Sequence, residues 1–384
     1  MKPSVLDEFA QEFDGLDEND KENKEKGQEN RGANEKQFEN FCGPTDKLIL
    51  EDESGRMTLC DLDESVVNSL VTGVVLAVQG TLNNDGEFSV DKENGICFPA
   101  TPLQPQRELK SPSSSKFVLL VSGLEVGSST GNPMRFQLLT DYLTGHIGLG
   151  SIKHQNLQKD IVRVIVAGNS ITKQTLPTQD ASAPVDKDAQ KKLVAPLKQL
   201  DISLAELASA IPVDLMAGAS DPVTTTLPQQ PIHDCLFPHA SRCESTFKKV
   251  TNPHEFTTGD AEVTFLGHSG QPIEDLLKYT KGKSPIELME DTLKWRHVAP
   301  TAPDTLPCFP FTEFDPFILD KAQPHVYFCG NQNDFVSKLT KIDTPNGPVE
   351  TRIVLVPKFS ETGLVVLVDI NSPTLECSTL SFDA

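Results

Sequence analysis

Four short loops in this chain carry residue types from which a reactive centre could be built. They read Ser122-Gly123-Leu124, Gly168-Asn169-Ser170-Ile171-Thr172, Gly218-Ala219-Ser220-Asp221-Pro222 and Gly330-Asn331-Gln332-Asn333. Each follows a run of apolar residues that reads as a strand, and open α/β sheets place their chemistry in the loops after such strands. The side chains on offer are hydroxyls, amides and one carboxylate, Asp221. Phosphoester hydrolysis by two divalent ions needs several carboxylates and neutral imidazoles, which offset four positive charges and hold the ions ~3.5–4 Å apart. Neutral amides cannot balance that charge in a partly dry cleft. The loops therefore predict no catalytic, metal or cofactor residue, and Asp221, followed by Pro222, reads as a turn residue whose carboxylate accepts backbone N–H groups.

Other reactive side chains are scattered. His233, His239 and His254 fall in loops without ligand-like spacing and read as ordinary polar surface. The eight cysteines include no C-x-x-C pair, so they predict reduced thiols rather than a zinc site or a disulfide framework.

The elements that must position the loops alternate between strand and helix. Phe117-Val-Leu-Leu-Val121 and Val162-Arg-Val-Ile-Val166 are apolar runs of the kind buried on both faces of a sheet. Residues 188–210 form an amphipathic helix with Leu193, Leu197, Leu200, Leu204 and Leu207 on one stripe, a face expected to pack on the chain's own sheet. It feeds a strand over Val213–Met216. Ser284-Pro285-Ile286-Glu287 is a capping box with Pro at the first helical position, and opens a helix through Met289, Leu293 and Trp295. Beyond Thr301, strands are expected at 326–328, 352–356 and 364–368, paired at the end of one sheet. Together these elements predict a layered, mixed α/β domain over residues 113–384.

Residues 46–112 have a different texture, with short β segments at 48–50, 57–59 and 71–79, then Asn83-Asn84-Asp85-Gly86 as a hairpin turn before Phe88-Ser89-Val90. Such strands suit part of a small OB-type barrel. Residues 99–115, with prolines and a serine run, read as a linker. Residues 1–45 are rich in Asp, Glu, Asn and Lys and read as a disordered acidic tail, with Val5, Leu6, Phe9 and Phe13 incidental to it. The formal net charge of −21 would repel a phosphate backbone, so DNA is expected to be met only through a partner. The opening residues lack the apolar stretch of a secretory signal. The longest apolar runs, such as 363–368, fall far short of the ~18 residues a membrane span needs, which predicts a soluble, intracellular chain.

In order and position, the four loops resemble the motif slots of calcineurin-type metallophosphoesterases, D-x-H, G-D-x-x-D, G-N-H-[DE] and G-H-x-H. The glycines are kept and nearly all the ligands are replaced: Ser122 and Leu124, Asn169 and Thr172, Ala219 and Ser220 beside Asp221, and Asn331 and Asn333 stand in the slots. With the segment from Val213 to His233, this decayed pattern resembles the B-subunit family of DNA polymerases alpha, delta and epsilon. Gly168, Gly218, Pro222, Leu227, Pro228, Gln229, Gln230, Pro231 and Gly330 carry the structural part of the signature. The delta branch is favoured by Val250-Thr-Asn-Pro253, by Phe265-Leu-Gly267 with Ser269-Gly-Gln271, by Arg296-His-Val-Ala-Pro-Thr-Ala-Pro-Asp-Thr305 and by Pro324-His-Val-Tyr-Phe-Cys-Gly-Asn331.

The resemblance runs from about Leu48 to Phe382. It implies an inactivated, calcineurin-like phosphodiesterase domain associated with an OB barrel whose first strand is replaced here by the acidic tail. It also implies a nuclear, non-catalytic scaffold without cofactor, joining the C-terminal cysteine-rich domain of a delta-type catalytic subunit to a third, elongated subunit. Two other classes compete. An active metallophosphoesterase or nuclease needs ligands that the loops lack, and a single-strand-binding OB module needs a basic groove with stacking aromatics, whereas residues 47–100 hold only Phe88 and Phe98.

Overall fold

The computed structural model of the chain describes residues 40–92, 95–107, 115–129, 131–147, 157–173, 187–258, 262–344 and 347–382. The expected tail over 1–45 lies outside them except for its last six residues. The first two of those are docked: Phe41 stacks on Tyr279 with ring centroids 5.5 Å apart, and the Asn40 amide donates to the Leu277 and Thr280 carbonyls at 3.0 and 2.7 Å. The ordered body thus begins ahead of residue 46.

The N-terminal strands are short because few of their side chains find a core. β1 (Ile49–Glu51), β2 (Arg56–Cys60), α1 (Glu64–Val67), β3 (Ala77–Val78), β4 (Gly80–Leu82), β5 (Phe88–Val90) and β6 (Ile96–Cys97) follow one another. They pair as a sheet of order β1-β2-β5-β4 and a ribbon β3-β6. The hairpin expected at residues 83–86 joins β4 to β5, with Gly80 opposite Val90 and Leu82 opposite Phe88. The strong strand expected over 71–79 is a correction: only its last residues are extended, and Val71, Val74 and Leu76 instead turn onto the main core. Burial of these side chains outweighs their β propensity. The linker is likewise not free, since Gln104 donates to the Pro324 and Glu350 carbonyls and Arg107 to those of Ser372 and Pro373.

The body is a four-layer sandwich. Its elements are β7 (Phe117–Val121), α2 (Pro133–Thr144), β8 (Ile161–Ala167), α3 (Lys187–Ala210), β9 (Val213–Met216), β10 (Phe247–Val250), β11 (His254–Thr257), β12 (Thr264–His268), α4 (Gln271–Tyr279), α5 (Pro285–Trp295), β13 (Val326–Gln332), β14 (Val336–Thr344), β15 (Gly347–Pro357), α6 (Phe359–Thr362), β16 (Leu364–Asp369) and β17 (Cys377–Ser381). One sheet has the order β10-β9-β8-β7-β16-β17 and the other β11-β12-β13-β15-β14.

Alternation along each strand explains the layers. Val118, Leu120, Ile165 and Met216 face Phe265, Val326, Phe328 and Val354 between the sheets. Leu119, Val121, Val164 and Leu215 point outward to Leu200, Leu204 and Leu207 of α3 and to Tyr142 of α2. On the far side, Tyr327 and Ile353 meet Ile273 of α4 and Leu288 and Leu293 of α5. From Leu197 to Leu207 the α3 stripe therefore packs on its own sheet as expected, while Leu193 lies outside the residues whose side chains are described. Ser284 begins α5 with its N–H and hydroxyl both donating to Glu287, at 2.8 and 2.6 Å.

One pairing expectation fails. β13 and β15 are parallel neighbours, but β16 belongs to the other sheet, antiparallel to β7. The short α6 carries the chain across, burying Phe359 beneath the first sheet on the way. A strand that is apolar on both faces fits the middle of either sheet, so its pattern cannot choose between them.

Candidate functional site

The carboxyl ends of β7, β8, β9, β12 and β13 meet where the two sheets face each other, and their loops close on one another through hydrogen bonds. Asn331 joins the sheets. Its amide donates to Ser269 O on one side (2.6 Å) and to Ala167 O on the other (3.3 Å), while its backbone N–H donates to Ser122 Oγ at 2.9 Å. The Ser122 hydroxyl lies 3.2 Å from both the Val356 and Pro357 carbonyls. Asn331 points inward because β13 bulges between Cys329 and Gln332, and its φ of 59° is in the left-handed region that asparagine tolerates.

A second knot forms around Asp221. Its Oδ1 accepts the N–H groups of Ser170 (2.9 Å) and Ile171 (3.0 Å), and its Oδ2 accepts that of Gly218 (2.8 Å). Burial pushes its carboxyl up to about 6, and the backbone donors oppose that rise. Asn169, with φ 54°, accepts the Ser220 N–H at 3.1 Å, and the Ser220 hydroxyl donates to Ile171 O at 2.6 Å. The glycines are needed for contact: a Cβ on Gly168 would lie 2.4 Å from Ser269 Cβ, and one on Gly218 2.4 Å from Asn169 N. No side chain fits at either place.

The third knot has no counterpart among the sequence motifs taken residue by residue. Asn252 donates to Gln229 Oε1 (2.8 Å), Ser269 Oγ (3.0 Å) and Gln271 Oε1 (3.1 Å), and accepts the Ser269 N–H. Gln229 in turn donates to Gly218 O at 3.2 Å, joining this knot to the second. The available signal was a polar Asn-Pro pair directly after a strand, in company with Ser269 and Gln271. Nearby, His268 is fully buried with its Nδ1 accepting the Gly270 N–H at 3.2 Å, and burial lowers its imidazole to about 3.

The remaining residues singled out in the sequence do not join the centre. Leu124 is part of the core under α2 and α3. Thr172 is half-buried, its N–H donating to Val126 O, and Ala219, Pro222, Gln230, Pro231 and Asn333 are exposed. Leu227 is buried, with its N–H and carbonyl paired to Pro307 and Phe309. His233 and His239 are exposed as expected, His239 paired with Asp201 at 2.7 Å, whereas His254 departs from the polar-surface reading: it opens β11 and stacks on Phe256 with ring centroids 5.3 Å apart. All eight cysteines are free.

A dinuclear metal centre does not fit here. The seam offers one carboxylate, already committed to three backbone donors, and its amides are bonded to carbonyl, amide, hydroxyl and backbone N–H groups, with Asn331 Oδ1 left buried without a partner. Among the described residues, the group of His, Cys, Asp and Glu spaced to hold an ion is Asp141, His146 and Glu206, on α2, the loop after it and α3, away from the seam. No helix among the described residues is long and apolar enough to cross a membrane.

The family described as the B subunits of DNA polymerases alpha and epsilon matches residues 118–337, and the DNA polymerase delta subunit OB-fold domain matches residues 1–92. The latter extends the likeness to residue 1, well ahead of the limit near Leu48 that the motifs suggested. The DNA polymerase delta small subunit of Oryza sativa subsp. japonica is 40% identical over 100% of this chain and 80% of its own. That of Arabidopsis thaliana is 44% identical over 89% and 74%, and that of Saccharomyces cerevisiae 34% over 100% and 76%. Among solved structures, a purple acid phosphatase from yellow lupin aligns over 78% of this chain and 58% of that one, with a TM-score of 0.29 and 12% identity, too distant to bear on the fold. The chain belongs to the family of DNA polymerase delta small subunits, the accessory, non-catalytic B subunits of that replicative polymerase.

Proposed function

We propose that this chain is a nuclear scaffold joining the C-terminal cysteine-rich domain of the delta catalytic subunit to a third accessory subunit, and that it meets DNA only through the assembled complex. In this reading residues 113–384 are an inactive phosphodiesterase-like domain, 46–112 an OB-type domain with its linker, and 1–45 an acidic tail. Ser122, Asn169, Asp221 and Asn331 are what remains of the old ligand slots.

The observation that supports it is the closed seam. Where a hydrolase would hold ions and water, Asn331 and Asn252 here hydrogen-bond across the two sheets, Asn331 to Ala167 and Ser122 and Asn252 to Ser269. A fold stitched in this way offers a large rigid surface, so its ordering cost on binding is low. The charge of −21 suits partners with basic surfaces, because complementary potentials speed encounter and penalise wrong pairings. A permanent assembly of this kind should bury well over ~2,000 Å².

The test is co-expression of the full chain with the catalytic subunit's C-terminal region and with the third subunit, followed by size exclusion at low salt and at ~0.5 M salt, where screening is nearly complete over a few ångströms. Co-elution at both is expected. Separate elution of folded chains at both would overturn the reading.

A further inference from the structure

Between Leu306 and Phe317 the chain leaves the core and returns to it, and everything from Phe309 to Asp315 is exposed. Phe309, Phe311 and Phe314 are 57%, 38% and 63% exposed. They touch one another in sequence, edge to face for Phe309 and Phe311, with ring centroids 5.0 Å apart, and tilted for Phe311 and Phe314, with centroids 5.1 Å apart. Three clustered aromatic rings facing solvent are costly, since each could bury 150–250 Å², and contiguous exposed apolar area of this kind marks an interaction site.

The loop is also held in place. The Phe309 N–H donates to Leu227 O at 2.8 Å and the Leu227 N–H to Pro307 O at 2.9 Å, which ties one end to the loop that carries Gln229. At the other end Asp315 pairs with His297 at 2.9 Å and accepts the Phe317 N–H, while the Val298 N–H donates to Phe317 O. The rings are thus presented on a loop fixed at both ends, which lowers the entropy lost on docking.

Charge selects the occupant. Glu313 and Asp315 flank Phe314 in sequence, and Asp304 and Asp320 bracket the segment, so residues 304–321 carry four acidic side chains against one basic, Lys321. A second copy of this chain would bring the same net −21 against it, and residues 1–39 carry 12 acidic against 6 basic side chains. Both would be repelled. We infer that the ladder of Phe309, Phe311 and Phe314 is a docking site for an apolar groove bordered by Lys and Arg on another subunit of the polymerase assembly. The inference rests on the scaffold reading above and adds the surface and the chemistry of the contact.

The test uses the full-length chain titrated separately with the catalytic subunit's C-terminal region and with the third subunit. The Phe311→Ser/Phe314→Ser variant should lose on the order of 100-fold or more in affinity for one of the two, as central aromatic anchors do. Glu313→Lys should slow association with that same chain several-fold at low salt and lose its effect at ~0.5 M salt. If wild type binds and the double variant binds equally to both chains, the ladder is not the contact. If the double variant instead changes self-association in sedimentation, or if deleting residues 1–39 tightens binding through the rings, the occupant is a second copy or the tail, and the inference falls. Absence of any binding by wild type would overturn the scaffold reading itself, a distinguishable result.

Discussion

The seam at the strand ends and the aromatic ladder at 309–314 handle surplus side-chain chemistry in opposite ways. In the seam, Asn331, Asp221, Asn252 and Gln229 find their partners inside the chain, most of them more than ten residues away in sequence. In the ladder, the three rings touch one another and remain exposed. The bonded groups of the seam contribute stability and rigidity, although Asn331 Oδ1 and Ser170 Oγ stay buried without a partner, and exposed apolar surface is available for association. The one region is buried and bonded within the chain, and the other is exposed.

The comparison breaks first at Asp221. In Asp221→Asn an amide NH₂ would face N–H groups that the carboxylate accepts, and replacing an acceptor by a donor in a buried site should cost about 3 kcal/mol in denaturant unfolding. An effect under about 1 kcal/mol would show that the seam is not a stabilising network.

Acid sharpens the contrast, because the seam titrates and the ladder does not. His268 is held neutral down to about 3, so between about pH 6.5 and 3 the unfolded chain takes up a proton that the folded chain refuses. Stability falls as pH drops through that window, by about 1.4 kcal/mol per pH unit. Asp221 has the opposite sign. Its carboxyl is held up at about 6, so from about pH 3.8 to 6 the folded chain binds the extra proton, and stability falls as pH rises. The difference in unfolding free energy between a His268→Gln variant and the wild type should therefore change by about 1.4 kcal/mol per unit below pH 6.5, while a pH-independent difference would place His268 in contact with water.

The smallest effect belongs to the ladder. Phe311→Ser/Phe314→Ser removes exposed rings from a loop fixed by backbone bonds, so the unfolding free energy of the isolated chain should change by no more than about 0.5 kcal/mol. A larger loss would mean that the rings support the fold rather than await a partner.

Much of the framework was legible because it depends on local pattern. The apolar runs of β7 and β8, the α3 stripe, the hairpin turn at 83–86 and the capping box before α5 each declare themselves within a window of 15 residues. The strand-end loops were legible for the same reason, as glycines and polar residues directly after those runs, and their motif order carried the family. Tertiary structure alone decided the rest. β16 is apolar on both faces and would fit either sheet, and only the crossing at α6 places it beside β7. The apolar run at 71–76 reads as a strand until the core under α4 and α5 claims its side chains. Asn331 binds groups 164 and 62 residues away, and Phe309–Phe314 are exposed although their composition suits a core. Periodicity records which residues prefer burial, but the partner that satisfies a polar group, or the lack of one for an aromatic ring, is set by chain segments that no local window contains.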